Sequence, residues 1–193
     1  MQKVSRFSHH STDPEIQKIM NAPMKREALK SLQTPLKERY QQDPSTAVAQ
    51  LRAEGTVDFV RIGCSVELPS NNGTQITAGL HPKVGGDGTQ ACSGDMLLQA
   101  LVTCAGTTLA AVATSLGLEI SEARIEAIGT MDFRGTLGID RTVPVGFTHI
   151  DMIFRLKTNT EASLIEKLLQ LTERYCVVFQ TLAKGVTIRS QQG

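Results

Sequence analysis

Residues 96–118, MLLQALVTCAGTTLAAVATSLGL, run for 23 positions without a charged side chain. At 1.5 Å per residue a helix of that length spans a bilayer. Six Gln, Thr and Ser residues, no flanking Trp or Tyr and no second apolar span argue instead for the buried centre of a water-soluble fold, since a helix apolar on nearly every side belongs in a core. Ser93 suits the N-cap, Asp95 suits the positive end of the helix dipole, and Gly117 suits the stop. Ala100, Thr103, Gly106, Thr107 and Ala110 recur at helical spacing, so the helix offers small residues against which another element approaches closely.

Outward from this helix the period changes from 3.6 to 2. Ile125, Ala127, Gly129, Met131 and Phe133 alternate on one face, as do Ile150, Met152, Phe154 and Leu156, which predicts two strands joined by the loop RGTLGIDRTVPVG. Leu164, Ile165, Leu168, Leu169, Leu171 and Tyr175 mark an amphipathic helix, and Val186 with Ile188 suggests a short final strand. Upstream, Ile62, Cys64, Val66 and Leu68 alternate, PSNNGT supplies Asn72 and Gly73 for a turn, and Gln75 to Gly79 returns as the second arm of a hairpin. The glycine-rich loop HPKVGGDGTQAC lacks both GxxxxGK[ST] and GxGxxG, so it is a connection and no phosphate cradle. A hairpin, a buried helix, two strands, a helix and a last strand make an α+β domain over residues 51–193. Residues 1–50 form a helical extension, which Pro14, Pro23, Pro35 and Pro44 divide into short pieces. Thr12 or Asp13 before Pro14, and Asp43 before Pro44, read as helix caps, and the extension as a packing arm.

With 193 residues the chain is long enough for one domain with a real core. Its 20 Lys+Arg against 19 Asp+Glu exclude a global electrostatic claim on nucleic acid, and the absence of Trp leaves base-stacking platforms and membrane belts poorly supplied. The four cysteines, Cys64, Cys92, Cys104 and Cys176, are the scarcest reactive groups. None sits in a CxxC or CxxH pair, so neither a metal nor another cofactor is expected. The N-terminus shows no apolar h-region, and a cytoplasmic, reducing compartment follows as the expectation. Cys64 lies on the apolar face of its strand as a small core residue, and Cys92 is a bystander ahead of the helix. Cys104 is mid-helix. Cys176 follows the second helix, and a further helical turn from Val177 to Leu182 would set it at a helix N-terminus, where thiolate is favoured.

The ordered pieces GDMLLQALVTCAGTTLAAVATSLGL, MDFRGTLGI, VPVGFTHIDMIFRL and LTERYCVVFQTL resemble the OsmC/Ohr proteins, of osmotically induced and organic-hydroperoxide-resistance type, over roughly residues 50 to 190. The resemblance implies antiparallel sheets wrapped around long central helices in an intertwined homodimer. It implies a peroxidase with Cys104 as peroxidatic nucleophile and Cys176 as resolving thiol, an organic hydroperoxide as substrate and a dithiol as reductant. The alternative is a non-enzymatic dimer that binds apolar ligands or senses redox state through the same cysteines. The apolar setting of Cys104 raises its pKa unless a positive group offsets it. The family's peroxidase branch holds the thiolate with a Glu ten residues before it and an Arg in the first hairpin. Gly94 stands at the first place, and PSNNGT has no Arg. Arg61, Arg141 and His81 are the substitute cations, and Asp95 is the nearby acid, although nine residues of helix set it about 13 Å away on the opposite face.

Overall fold

The computed structural model describes residues 23–68 and 73–192, so the expected cap at Thr12 to Pro14 lies outside the described residues. Helix α1 spans Arg26–Gln42 with Pro35 inside it, so the prolines do not divide this stretch as the sequence suggested. An interior proline deletes one i→i−4 hydrogen bond. The loss is tolerated because α1 has no buried residue and the carbonyl of exposed Ser31 faces solvent. Asp43 does cap, accepting the Ser45 N–H at 3.1 Å ahead of the 3-10 turn Pro44–Ala47. Residues 48–54, where the two expected segments meet, carry no regular structure.

The first sheet begins one strand earlier than the alternation indicated. Strand β1 (Gly55–Asp58) pairs antiparallel with β2 (Gly63–Glu67), β2 with β3 (Gln75–Gly79), and the two-residue β4 (Ala91–Cys92) adds parallel to β3. Arg61 therefore lies in the β1–β2 turn, not on a strand. Asp58 Oδ1 ties that turn by accepting the N–H groups of Val60 at 2.9 Å and Arg61 at 3.1 Å. Gly73, in the second turn, has φ +79°, a conformation that glycine adopts without steric cost.

Helix α2 runs Ser93–Leu116. Cys92 takes the N-cap position expected of Ser93, which is the first helical residue. Gly117, left-handed at φ 71°, closes the helix by donating its N–H to Ala113 and Thr114 carbonyls. By length and composition α2 is apolar enough to cross a membrane. Here β5, β6 and the two later helices pack onto it, burying Leu101, Ala105, Leu109 and Ala113 at four-residue spacing.

Strand β5 (Glu122–Met131) and strand β6 (Phe147–Lys157) pair antiparallel, with Ile125 opposite Phe154, Ala127 opposite Met152 and Gly129 opposite Ile150. That row of side chains packs against α2. A Cβ at Gly129 would meet the Phe147 ring at 2.5 Å, so only glycine admits the ring there. The expected loop between these strands includes a short helix, α3 (Phe133–Thr136). Helix α4 (Ala162–Tyr175) buries Leu168 and Thr172 against the far half of α2, and after a break at Cys176 helix α5 (Val177–Lys184) covers its middle. No final strand forms: residues 185–192 are irregular, and Val186 and Ile188 are exposed. Two alternating apolar residues with no strand edge beside them have nothing to pair with.

Candidate active site

Cys104 and Cys176 come from elements separated by 72 positions of sequence, and the fold puts their thiols in contact. The placement is dictated locally. Cys104 is on the flank of α2 next to buried Leu101 and Ala105. Cys176 is at once the C-cap of α4, its N–H given to the Thr172 carbonyl at 2.9 Å, and the N-cap of α5. Its side chain is 0% exposed, whereas Cys104 is half-buried and reachable. Ile125, Ala127, Ile150, Met152, Phe154, Val178 and Phe179 wall the pair with apolar surface.

A helix begins with orphan backbone N–H groups that need acceptors. At α5 the Phe179 N–H donates to the Cys176 Sγ at 3.5 Å, and the Val177 and Val178 N–H groups, at the same helix start, lower the pKa of the Cys104 thiol. Burial alone pushes the Cys104 thiol up. The Val178 N–H, the Cys176 thiol, the Val177 N–H and the Thr108 hydroxyl together outweigh it, holding the group below the ordinary thiol range. Hydrogen bonds to a charged group are worth about 1.5–3 kcal/mol each, and a sulfur still half open to solvent has lost only part of its hydration. Cys176 moves the other way. Burial raises it first, opposed by the Phe179 N–H, and its donation to Cys104 and the charge on Cys104 raise it further. The expectation that the helix N-terminus would favour a Cys176 thiolate is thus corrected: the field of α5 acts chiefly on the neighbouring sulfur. The two thiols are thus driven apart, Cys104 toward the more acidic and Cys176 toward the less acidic.

The four charged candidates lie elsewhere in the single chain, and none is among the groups that shift Cys104. His81 Nδ1 accepts the Lys83 N–H at 3.1 Å, and its ring stacks on Phe133 at 4.8 Å. Arg141 is exposed in the loop before β6. Asp95 is exposed in the first turn of α2. Arg61 is exposed at the β1–β2 tip between Val60 and Ile62, 91% and 63% exposed, with Ile62 in a strained positive-φ conformation of 54°. With β1 recognised, this tip is the turn of the first hairpin, and Arg61 stands in it. Cys92, 12 residues before Cys104 along α2, is about 18 Å away. Cys64 is half-buried on β2 between Val57 and Ala78. Among the described residues no cluster of His, Cys, Asp and Glu suits a metal ion.

The sequence marked Val177 as the start of a helical turn, but not its N–H, that of Val178 or Thr108 as groups acting on Cys104. Thr108 was within reach of a spacing argument, since i+4 from Cys104 is the same helix face; the two N–H groups carry no residue-type signal.

Residues 86–191 match the family described as OsmC-like protein. The chain belongs to the OsmC-like family. Among solved structures it resembles the OsmC-like protein of Mycoplasma pneumoniae, at 17% identity and a TM-score of 0.57 over 72% of this chain and 89% of that one. An organic hydroperoxide resistance protein of Elizabethkingia anophelis, with crystallant-derived thiocyanate bound, matches at 14% identity and a TM-score of 0.55, covering 71% of this chain and 91% of the other. One from Legionella pneumophila, described as a predicted redox protein, matches at 12% and 0.52, covering 70% and 91%. At these identities the likeness is one of fold. No curated protein matches the chain. The family assignment accounts for the α+β arrangement and for a charge-free helix at its centre.

Proposed function

We propose that this OsmC-like chain reduces organic hydroperoxides with Cys104 as nucleophile and Cys176 as resolving thiol. The observation that carries the reading is the contact between two sulfurs whose proton affinities are driven apart. The Cys104 thiolate attacks the terminal peroxide oxygen; the O–O bond breaks, the alkoxide leaves as alcohol after taking a proton, and Cys104 is left as sulfenic acid. The Cys176 sulfur then displaces the sulfenic oxygen as water, using its own proton, and a disulfide forms. An external dithiol restores both thiols by exchange and is itself oxidised to a disulfide. The apolar wall favours an alkyl hydroperoxide over hydrogen peroxide. Four free cysteines suit a reducing compartment such as the cytoplasm.

The working unit in this proposal is a homodimer. Ala100, Thr103, Thr107 and Ala110 form an exposed small-residue stripe along α2 beside the face that carries Cys104. Adjoining that stripe at Ala110, Val102, Gly106, Leu109 and Ala113 floor a cavity of about 1440 Å³. A charge-free helix left this bare in one chain is completed by a second copy, which would also cover the peroxide site and supply the Arg61 of its own first hairpin.

The test is consumption of cumene or tert-butyl hydroperoxide with dithiothreitol. Wild type should turn over and Cys104→Ser should be inert. Equal inertness of both, with fatty ligands bound by each, would point to a binding protein.

A further inference from the structure

We propose that Thr108 is a positioning residue for the Cys104 sulfur, its hydroxyl proton moving from the Cys104 carbonyl to the sulfur when the sulfur is charged. The inference rests on the reading of Cys104 as the nucleophile and adds a group to its site.

A helical side chain leans toward the N-terminus and covers the turn before its own Cα, so Thr108 lies over Cys104. Its Oγ1 donates to the Cys104 carbonyl at 2.8 Å. Back-bonding of this kind is ordinary for a helical threonine, and Thr103 does it to Gln99 at 2.9 Å and Thr107 to Thr103 at 3.0 Å. Those two are exposed; Thr108 is partly buried and is the one beside a thiol. A threonine hydroxyl has one proton and a free choice of rotor. The carbonyl it serves already accepts a helical N–H, so releasing the hydroxyl costs that oxygen only its second hydrogen bond. A thiolate in an apolar pocket has few donors to choose from, and the hydroxyl is the more valuable there.

The surroundings leave few competitors. Strand β5 presents Ile125 and Ala127 to the cluster around the sulfurs, β6 presents Ile150, Met152 and Phe154, and α5 presents Val178 and Phe179. Among the groups acting on Cys104, Cys176 alone is titratable and none carries a fixed charge. The remaining donors are the backbone N–H groups of Val177 and Val178, which no side-chain substitution other than proline removes. Among the described residues Thr108 is therefore the one non-cysteine side chain that acts on the Cys104 thiol.

The test reads the sulfur directly, with no peroxide present. Thr108→Val keeps the β-branched shape and deletes the hydroxyl, Thr108→Ser keeps the hydroxyl, and Thr108→Ala serves if valine impairs folding. Iodoacetamide alkylation of Cys104 is followed from pH 5 to pH 10 by peptide mass spectrometry, with circular dichroism melting to certify the fold. Thr108→Val should raise the Cys104 midpoint by about one pH unit, the worth of one hydrogen bond to a charged acceptor, and Thr108→Ser should restore it. A folded valine or alanine variant with the wild-type midpoint overturns the inference and leaves the peroxidase reading untouched. A raised midpoint in a protein whose wild type consumes no hydroperoxide upholds the Thr108 role and removes the peroxidase reading.

Discussion

At Cys104 the decisive quantity is which sulfur holds the proton. Its thiol is below the ordinary range and that of Cys176 above it, so between the two midpoints Cys104 is anionic and Cys176 neutral. Below the Cys104 midpoint both sulfurs are protonated and the nucleophile is lost; above it the rate rises to a plateau. Peroxide consumption measured against pH is therefore expected to climb through a midpoint lower than a free thiol's, and Cys176→Ala, which deletes the thiol donor, should shift that midpoint upward. A profile centred on the free-thiol value would contradict the arrangement. Arg61 makes a separate prediction. If it supplies the cation across a dimer, Arg61→Ala should cost about 100-fold in kcat/KM, the scale seen when one preorganised donor is removed, while Arg141→Ala should be silent. Equal effects of the two would remove Arg61 from the site. The residue was visible in the sequence, but its place was not. β1 has the short pattern Gly-Thr-Val-Asp with a single large apolar side chain, too little alternation to announce a strand, so the first hairpin was counted one turn too late.

At the scale of the element, α5 is a helix whose start is spent on sulfur. Its first residue is Val177. Proline is welcome at the first helical position because its missing N–H would be an orphan there anyway. In this chain that N–H is not idle, since it is one of two that Val177 and Val178 give to Cys104. Val177→Pro should accordingly preserve the helix and its melting temperature yet raise the Cys104 alkylation midpoint at least as much as Thr108→Val does, the Val177 N–H acting on Cys104 more than the Thr108 hydroxyl does and less than the Val178 N–H. Unchanged reactivity in a folded Val177→Pro protein would mean that Val178 suffices. The elements themselves were legible to the extent that their apolar periods were unambiguous. The charge-free run 96–118 carries its stop at Gly117, and the β5 and β6 rows alternate strictly, so α2 and its sheet could be read directly. The helix N-terminus was foreseen, but its target was misassigned, because sequence gives the position of a dipole and not the direction in which tertiary packing aims it. Pro35 and the tail after Gly185 failed for the converse reason: each was a local signal that solvent exposure and the absence of a neighbouring strand overrode.

For the molecule as a whole the unresolved balance is at the surface of α2. In one chain Ala110 is exposed. A glutamate there would keep good helix propensity and stand in water, so Ala110→Glu in a monomer should change stability by no more than about 0.5 kcal/mol. In a homodimer the same carboxylate would be driven into an apolar contact with no cation designed to meet it, at a cost of several kcal/mol. The two assemblies thus respond oppositely to one substitution. Sedimentation equilibrium should find wild type at twice the chain mass and Ala110→Glu at a single chain mass. Thr108 and Cys176 would be untouched in that monomer, so its Cys104 should keep much of its lowered midpoint from the neutral donors of α5 and α2. Hydroperoxide turnover should fall, because the Arg61 of the second copy and the cover over the apolar site leave together. A fully active monomer, or a variant that remains dimeric, would place the interface elsewhere and make each chain's own two sulfurs and hydroxyl the complete site.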